Sequence, residues 1–361
     1  MLLQRLQEVG VTDTALKFFQ SYLSERQEYV ALGNLTSSVR NVTSGVPQGS
    51  VLGPLLFLIY MLPLGEIFRR HKINFHSYAD DTQIYIQTSP DSPLSISRVT
   101  KCLDDIRDWM NNNSLQLNGN KTEAILIGTP NQTKQAGISN ITIDGHTIPL
   151  SSLVTSLGVK LDQTLSFEAH VKAVCHNCFY QLRTISKLRP ILSLPDLEKL
   201  VHAFITSRVD YCNSLLAGLP AKTTQRLQYV QNSAARILTK TRKSEHITPV
   251  LYSLHWLPVE QRITFKLLLH VFKAVKHTGP AYLQELISPK PQIRSLRSDS
   301  EPNLLVVPFT NLATMGDRAF SRLGPLLWNE LPGSIRALES ISTFKSSLKT
   351  HLFRDAFSHL L

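Results

Sequence analysis

The sequence predicts an α+β fold from two changes in hydrophobic periodicity along the chain. Between residues 73 and 128, apolar residues recur first at every second position, then at helical spacing, and then in a short run. From about residue 165 onward, the long periodic segments are helical. The chain has 361 residues, of which 42% are hydrophobic and 18% charged, so a wholly disordered protein is excluded and two or three domains are expected.

The first 62 residues are expected to contain both helix and strand. Residues 15–22 are amphipathic and predict a helix, whereas residues 30–35 and 38–43 predict two short strands around a turn. Glycines and prolines in residues 45–54 predict a tight loop, and the apolar run at 55–62 predicts a buried helix behind it.

The next segment predicts a hairpin, a helix and a strand in succession. Apolar and polar residues alternate on both sides of Asp80 and Asp81, which indicates a β-hairpin with an acidic tip. A helix follows, and its apolar stripe comprises Val99, Cys102, Leu103, Ile106, Trp109 and Met110. Residues 122–128 then predict a strand, which completes a split β-α-β arrangement of the ferredoxin-like, antiparallel type. Two further strands are predicted at 141–143 and 157–161.

Four long helices are predicted in the second half of the chain, at residues 171–188, 195–216, 224–239 and 258–275. Ser193 stands where a helix start is expected for the second of them. Residues 290–303 are rich in Pro, Ser and Arg and predict a linker, and the tail at 310–361 is expected to be helical. The predicted domains are therefore residues 1–165, 166–289 and 290–361.

The positive charge of the chain lies entirely in its second half. Residues 1–165 contain 13 Lys and Arg and 14 Asp and Glu, a net charge of −1, whereas residues 166–361 contain 25 and 13, a net charge of +12. A basic half joined to a neutral half predicts a surface for a polyanion such as nucleic acid, beside a separately built site. An ordinary basic surface that aids solubility is the alternative interpretation.

The sequence does not indicate membrane insertion or secretion. The longest apolar candidate, residues 51–64, contains Pro and Gly and is shorter than the roughly 18 residues that a membrane helix needs. The first residues, MLLQRLQEVG, do not resemble a signal peptide. A cytoplasmic and nuclear protein is therefore expected, rather than a secreted one.

The four cysteines are expected to be core or surface thiols in a reducing compartment. Cys175 and Cys178 form a Cys-x-x-Cys pair, but a structural zinc site usually needs a second pair at ordered spacing. The remaining two, Cys102 and Cys212, lie at predicted helical positions that suit a core.

The adjacent carboxylates of Asp80 and Asp81 are the sharpest chemical feature of the sequence. Two unit charges about 4 Å apart repel by roughly 4 kcal/mol at an effective dielectric of 20. A divalent cation removes that repulsion, and proteins hold Mg²⁺ with one or two carboxylates together with substrate phosphates. A solvated Asp-Asp turn, which needs no ligand, is the alternative interpretation.

Several sequence blocks share the order and composition of motifs in one protein family. They are GVPQGSVLGPLLF (45–57), FHSYADDTQIYI (75–86), LQLNGNKTEAILIG (115–128), SLGVKLD (156–162) and the tail segments LHWLPVEQRITFKLLL and GDRAFSRLGPLLWNELPGSIR. Tyr78 follows Gln48 by about 30 residues, a spacing that also fits. With these blocks the chain resembles the reverse transcriptases of non-LTR (LINE-type) retrotransposons over nearly its whole length.

The resemblance implies a right-hand polymerase, with a partial palm that carries the acidic hairpin, followed by a mainly α-helical thumb and carboxy-terminal region. It implies RNA-directed DNA synthesis, in which the partners are an RNA template, a DNA primer and deoxynucleotides, with a two-ion Mg²⁺ site as cofactor. Asp80 matches the family's metal ligand, and Asp81 is the adjacent carboxylate in a supporting role. The sequence indicates no membrane partner and leaves the oligomeric state open.

The resemblance also implies roles for residues around the acidic pair. Tyr78 lies two residues before Asp80 and is expected on the same face, near the primer end. Lys121 matches a lysine that protonates the leaving group or contacts phosphates, although a single lysine is more often a surface residue. The positions that match template, nucleotide or primer contacts in the family are Pro47, Gln48, Gly49, Gly158 and Lys160.

The sequence departs from the family pattern at its amino end. The family places a second catalytic carboxylate on a strand just upstream of a stretch like LLQRLQEVGV, and here that stretch opens the sequence. Asp13 lies downstream of it, where the pattern has no metal ligand. The expectation is an amino-terminally truncated reverse transcriptase that is inactive as given. The alternative is a non-catalytic, nucleic-acid-binding remnant of a retrotransposon polyprotein.

Overall fold

A computed structural model describes residues 1–46, 49–88, 94–143, 146–291, 303–312 and 314–360. The chain divides into two compact units, unit 1 (Met1–Leu157) and unit 2 (Gly158–Leu361). Unit 1 contains helices and short strands, whereas unit 2 is almost entirely helical, so the predicted α+β class is confirmed. The division into domains at residues 165 and 289 stays a prediction.

Unit 1 combines short helices with short antiparallel strands. Its helices are α1 (Leu2–Glu8), α2 (Asp13–Leu23), α3 (Gly53–Met61), α4 (Leu64–Arg70), α5 (Leu94–Asn112) and α6 (Pro130–Gln135). Its strands are β1 (Arg26–Glu28), β2 (Ala31–Leu32), β3 (Leu35–Thr36), β4 (Arg40–Val42), β5 (Asn74–Tyr78), β6 (Asp81–Tyr85), β7 (Asn140–Ile143), β8 (His146–Pro149) and β9 (Leu153–Ser156).

Unit 2 begins with strand β10 (Val159–Asp162) and continues as helices. These are α7 (Glu168–Leu188), α8 (Leu194–Val201), α9 (Ser207–Asp210), α10 (Ala221–Thr239), α11 (Thr248–Ser253), α12 (Val259–Val275), α13 (Ala281–Gln284), α14 (Phe320–Glu330), α15 (Gly333–Arg336) and α16 (Ile341–Ala356). Among the described residues, no helix combines the length and the apolar character that crossing a membrane requires.

The predicted acidic hairpin is present, but the larger sheet around it is not. Strands β5 and β6 pair in an antiparallel register that runs from Asn74 opposite Tyr85 to Tyr78 opposite Asp81. Every sheet in the described part of the chain has only two strands. Residues 122–128, predicted as a strand, contain a single parallel bridge from Ala124 to Leu150. The prediction of a continuous split β-α-β sheet is therefore wrong for these residues.

Residues 122–128 are tied to residues 150–155 by both a backbone and a side-chain hydrogen bond. The Ser151 N–H donates to the Ala124 carbonyl at 2.8 Å, as in a strand pair. The Thr155 N–H donates instead to the Glu123 carboxylate at 3.1 Å. A bond to a side chain holds the two segments together without extending the strand pairing.

Turns with positive φ displace two other predicted strands. The strands predicted at 30–35 and 38–43 require a turn between residues 35 and 38. The observed turn comes earlier, at Gly33 with a φ of +60°, because β2 pairs with β3 and β1 with β4. Leu157 and Gly158 have φ values of +45° and +79° and form a turn, so β10 begins only at Val159. Glycine at 158 adopts such a conformation without steric cost.

The apolar run at 55–62 forms a helix, α3, that is only partly buried. Leu56 is fully buried, whereas Leu55 and Leu58 are 52% and 46% exposed. The segment is apolar on all sides, and α1 packs against one of them. The predicted helix is therefore confirmed, and its predicted burial is wrong.

The apolar stripe of α5 forms the core of unit 1, as predicted. Cys102 and Ile106 are 0% and 4% exposed, and they pack with Leu64 and Phe68 of α4. Trp109 and Met110 extend the stripe as partly buried contacts. The helical period of the sequence therefore identified this face correctly.

In unit 2, the helices predicted at 171–188, 224–239 and 258–275 are observed as α7, α10 and α12. The helix predicted at 195–216 is shorter, because α9 ends at Asp210 and Cys212 adopts a φ of +51°. Cys212 is exposed, so the prediction of a core position for it is wrong. Most of the predicted 290–303 linker lies outside the described residues.

Unit 2 is expected to fold alone more readily than unit 1. In the described ranges it has two clusters of buried hydrophobic residues, whereas unit 1 has one and its two-stranded sheets present open edges. We expect residues 158–361 to be soluble and to unfold cooperatively, and residues 1–157 to be less soluble. Circular dichroism and thermal melting of the separate fragments test this, and a better-folded 1–157 fragment would contradict it.

Candidate active site

The acidic pair lies at the tip of the β5–β6 hairpin. Tyr78 is directly opposite Asp81, and Ala79 and Asp80 form the two-residue loop between them. Ala79 has a φ of +55°, in the left-handed region that costs a residue with a Cβ roughly 1–2 kcal/mol. Tight two-residue hairpin loops require a positive φ at this position. The hairpin therefore holds its acidic tip with local backbone strain.

Both carboxylates at the tip are exposed, and the Tyr78 side chain is 71% exposed. In the described part of the chain, the carboxylates of Asp80 and Asp81 have no hydrogen-bond or ion-pair partner. Paired residues of neighbouring strands share a face, so Tyr78 shares its face with Asp81. The expectation that it shares a face with Asp80 is wrong, because Asp80 lies in the loop and not in the strand.

One face of the hairpin packs against α4, and the opposite face is braced by a contact between its own two strands. Phe75 stacks on the buried Phe68 of α4, with ring centroids 4.5 Å apart. On the outer face, Tyr85 and His76 stack at 5.5 Å, and the Tyr85 Oη lies 3.1 Å from the His76 Nε2. The tip therefore projects from an anchored hairpin into solvent.

Of the three candidate residues before α3, Pro47 and Gln48 lie outside the described residues. Gly49 has a φ of +81°, and a Cβ built on it would meet no atom of the described residues within 4 Å. Its conformation requires glycine, and the space next to it is open. Such an open backbone leaves room for the close approach of a ligand.

Lys121 lies at the end of a 3₁₀ turn, Gly119–Lys121, and its side chain is exposed. The turn is closed by the Lys121 N–H, which donates to the Asn118 carbonyl at 3.1 Å. Within the described residues, the lysine forms no ion pair with Asp80 or Asp81. The structure places it in the same unit as the acidic pair without joining the two.

Gly158 and Lys160 lie in unit 2, at the turn before β10 and within that strand. The Lys160 N–H donates to the His170 Nδ1 at 3.4 Å. Burial lowers the pKa of His170, and the Lys160 charge lowers it further. The Lys160 backbone therefore helps to fix the start of α7, whatever its side chain contacts.

Residues 2–161 match the family described as reverse transcriptase (RNA-dependent DNA polymerase). This part of the chain belongs to the reverse transcriptase family. The matched residues include the acidic hairpin, Gly49, Lys121 and Lys160. The family predicted from the sequence blocks is confirmed.

Relatives named as polymerases of mobile elements agree with this assignment. The chain is 28% identical over 229 residues to the "Probable RNA-directed DNA polymerase from transposon BS" of Drosophila melanogaster, covering 61% of this chain and 25% of the relative. It is 28% identical over 158 residues to the "RNA-directed DNA polymerase from mobile element jockey" of the same species, covering 42% and 17%. It is 24% identical over 229 residues to the "Probable RNA-directed DNA polymerase from transposon X-element", covering 61% and 24%.

The chain spans about a quarter or less of the length of these relatives. In two of them the aligned stretch, 229 residues, is longer than the reverse transcriptase match. The similarity therefore continues beyond the reverse transcriptase domain.

The reverse transcriptase domain is followed at once by a carboxylate that sequence reasoning did not single out. Asp162 accepts five hydrogen bonds, from the backbone N–H groups of Thr164, Ser166 and Phe167 at 2.8 to 3.1 Å and from two hydroxyls. Burial acts to raise its pKa, but these bonds together hold the pKa of Asp162 below its ordinary value. The signal was present, because an Asp followed by Thr and Ser at the second and fourth positions favours such a turn.

Arg318 closes the same turn from the carboxy-terminal part of unit 2. Its Nη2 donates to the Leu165 carbonyl at 2.9 Å, and its guanidinium lies 5.8 Å from the Phe167 ring centroid. Burial lowers the pKa of Arg318, and the Asp162 carboxylate opposes that effect. A Cβ on Gly218 would lie 2.8 Å from the Arg318 Cγ, so only glycine fits beside the arginine. We call the Asp162 turn and Arg318 the α7 clamp.

The hairpin alone does not fit the two-ion site that the resemblance implies. Two-metal sites hold ions about 3.5–4 Å apart with several shared ligands. Among the described residues, no three His, Cys, Asp or Glu side chains are grouped so that they could hold a metal. Glu8 is paired with Arg5 at 3.0 Å, and Asp13 accepts a hydrogen bond from the Thr12 Oγ1 at 3.0 Å. Neither acid is grouped with Asp80.

Proposed function

We propose that residues 2–161 carry the acidic hairpin of an RNA-directed DNA polymerase palm. The observation that carries the proposal is the pair of unpartnered, exposed carboxylates at a fixed hairpin tip, inside the region that matches the reverse transcriptase family. Two adjacent carboxylates without a cation partner are costly to hold together, which favours a cationic ligand. The template is RNA, the primer DNA, and the substrates are deoxynucleotides.

Roles for the surrounding residues follow from the same proposal. Asp80 and Asp81 bind divalent ions, and Tyr78 lies beside the primer end. Gly49 leaves open space for the template–nucleotide base pair. Lys121 approaches the phosphates of the nucleotide. The site needs a further carboxylate that the described residues do not group with the hairpin.

Unit 2 is proposed to hold the nucleic acid as the thumb and carboxy-terminal region. Residues 158–361 contain 26 Lys and Arg and 14 Asp and Glu, a net charge of +12. A surface of this charge attracts phosphates over a distance of about one Debye length, roughly 8 Å at physiological salt. This arrangement separates binding, in the basic unit, from chemistry, at the hairpin.

A non-catalytic nucleic-acid-binding protein is the second candidate function. It is favoured by the absence of a third metal-ligating side chain near the hairpin in the described ranges. Nucleotide incorporation that depends on Asp80 distinguishes the two, since only the polymerase requires that carboxylate. Both candidates require unit 2 to bind RNA or DNA.

The full chain is expected to bind nucleic acid with a steep salt dependence and little sequence preference. Each phosphate contact releases a condensed counterion, so the affinity falls linearly on a log–log scale with a slope of about −0.7 to −0.9 per contact. Fluorescence anisotropy with RNA and DNA oligonucleotides between about 50 and 200 mM salt measures this slope. An affinity that does not change with salt concentration would contradict the proposal for unit 2.

A further inference from the structure

Helices α7 and α10 leave an open groove of about 750 Å³ between them on the surface of unit 2. We call it the α7–α10 groove, and its lining residues are Glu168, Lys172, Cys175 and Phe179 from α7, and Lys222, Gln225, Arg226 and Tyr229 from α10. Its volume lies within the range of about 300–1,000 Å³ that is typical of small-molecule sites. The groove is therefore large enough to hold a nucleotide-sized group.

Three cations and one carboxylate line the groove. Lys172, Lys222 and Arg226 are exposed, and within the described residues none of them has a hydrogen-bond or ion-pair partner. The opposing charge is Glu168, which also has no side-chain partner in those ranges. Excess positive charge in a concave surface attracts an anion more strongly than the same charge on a convex one.

The electrostatic influence of these cations extends to the wall of the groove. Burial raises the pKa of the Cys175 thiol, and the charge of Arg226 acts in the opposite direction. Because the charge of Arg226 favours the thiolate form of Cys175, it would also favour a phosphate bound in the groove. The groove is therefore suited to an anionic ligand.

Aromatic rings occupy one end of the groove. Tyr229 is 61% exposed, and its ring lies 5.5 Å from the partly buried ring of Phe179, at 48° to it. Phe179 supports one side of the Tyr229 ring, while much of the ring surface stays exposed to solvent. An exposed aromatic ring on a fixed support is a stacking surface for a nucleic-acid base.

The two lysines and the rings are separated along the groove. Cys175 is close to Arg226, and Phe179 is in contact with Tyr229, so the two helices run in the same direction here. Lys172 precedes Phe179 by seven residues, which is about 10 Å along a helix axis. Lys222 precedes Tyr229 by the same interval. The lysines thus lie at one end of the groove and the stacking surface at the other, with Arg226 one helical turn before Tyr229.

We propose that the α7–α10 groove binds an unpaired segment of single-stranded nucleic acid, with one base on Tyr229 and the adjoining phosphates on Lys172, Lys222 and Arg226. A duplex does not satisfy this site, because its bases are stacked on one another and not free to cover a side-chain ring. The inference rests on the proposed nucleic-acid binding of unit 2 and names the form of nucleic acid and the residues that receive it.

Variants of the ring and of the cations test the site in the full chain. The probes are a fluorescein-labelled oligo(U) and oligo(dT), each of about 12 nucleotides, and a blunt-ended duplex of about 12 base pairs, which has no unpaired base. We expect Tyr229→Ala to weaken binding of both single strands about 5- to 150-fold, the range for loss of one stacked base. Tyr229→Phe keeps the ring and retains the affinity. Lys172→Gln and Lys222→Gln each reduce the salt slope by about 0.7.

Matched controls separate the groove from general surface effects. Tyr180 is 60% exposed on α7 and lies outside the groove lining, so Tyr180→Ala removes an equally exposed ring. The double variant Lys345→Gln/Lys349→Gln removes two exposed charges from α16. We expect both controls to change single-strand affinity by less than about twofold, and duplex affinity to change equally little in Tyr229→Ala.

Five outcomes would overturn the proposal. Three are an equal loss in Tyr229→Ala and Tyr180→Ala, an equal loss for duplex and single strands, and a loss in Tyr229→Phe as large as in Tyr229→Ala. If the wild type binds the probes and the groove variants bind them equally well, the groove proposal is rejected while nucleic-acid binding by unit 2 stands. Failure of the wild type to bind any probe rejects the proposed function of unit 2 as well. A loss confined to oligo(U) or to oligo(dT) identifies RNA or DNA as the occupant.

Discussion

The 361-residue chain is expected to incorporate no deoxynucleotide on an oligo(dT)-primed poly(rA) template, with either Mg²⁺ or Mn²⁺. The hairpin supplies Asp80 and Asp81, and no third metal-ligating group is placed beside them within the described residues. Two carboxylates from consecutive positions do not enclose two ions, because one lies in the loop and the other begins strand β6. Incorporation of labelled nucleotide, with Asp80→Asn run in parallel, measures the residual activity.

An amino-terminal extension that carries the Asp-containing strand of the family pattern is expected to generate activity. In that extended chain, Asp80→Asn should lower incorporation about 1,000-fold or more, since metal-ion catalysis contributes several kcal/mol and each 1.36 kcal/mol is tenfold in rate. Glu28→Gln on β1 is the matched control, because it removes one exposed carboxylate from the same unit. Asp80-dependent incorporation by the unextended chain would show that another acid completes the site. Asp13→Asn and Glu8→Gln would then identify or exclude these two acids.

Asp162→Asn is expected to lower the free energy of unfolding more than any other single substitution in the α7 clamp. The asparagine loses the charge, and its amide places donors against backbone and hydroxyl groups that also donate. Hydrogen bonds to a charged group contribute about 1.5–3 kcal/mol, so we expect a loss of about 3 kcal/mol. For a unit of this size, that corresponds to a fall in Tm of roughly 6–12 °C. Thermal melting by circular dichroism measures it.

The effect of Asp162→Asn should depend on pH in one direction only. A carboxyl whose folded pKa is lowered stabilises the fold above its unfolded pKa, about 3.9, and loses that contribution as the pH falls through the folded value. The Tm difference between wild type and variant should therefore be constant from about pH 7 to pH 5 and shrink below about pH 4. Asp355→Asn, at an exposed position of α16, is the charge-matched control. A Tm difference that persists at the lowest pH would contradict the carboxylate role.

Periodicity predicted the elements whose partners are close in sequence. The stripe of α5 and the strands on either side of Asp80 have strong local patterns, and both were placed correctly. The Ser193 cap was also correct, since its Oγ accepts a hydrogen bond from the Asp196 N–H. Local patterns are reliable where the segment itself determines the structure.

The errors arose where partners or backbone strain decide the structure. Burial of α3 depends on what covers it, and the sequence of the helix is apolar on every side. The break at Cys212 and the loop position of Asp80 follow from positive φ values at Cys212 and Ala79, residue types that seldom adopt them. The α7 clamp joins residues far apart in the chain, so no local pattern could reveal Arg318.

The distance between the two sides of the α7 clamp has a consequence for the order of events on the ribosome. The Arg318–Leu165 bond joins positions 153 residues apart. At about 5–20 residues per second, Arg318 is synthesised roughly 8–30 s after Leu165. During that interval, the start of α7 in the nascent unit 2 is held by the Asp162 turn and not yet by Arg318. Its first helix is therefore complete before the segment that locks it in place has been synthesised.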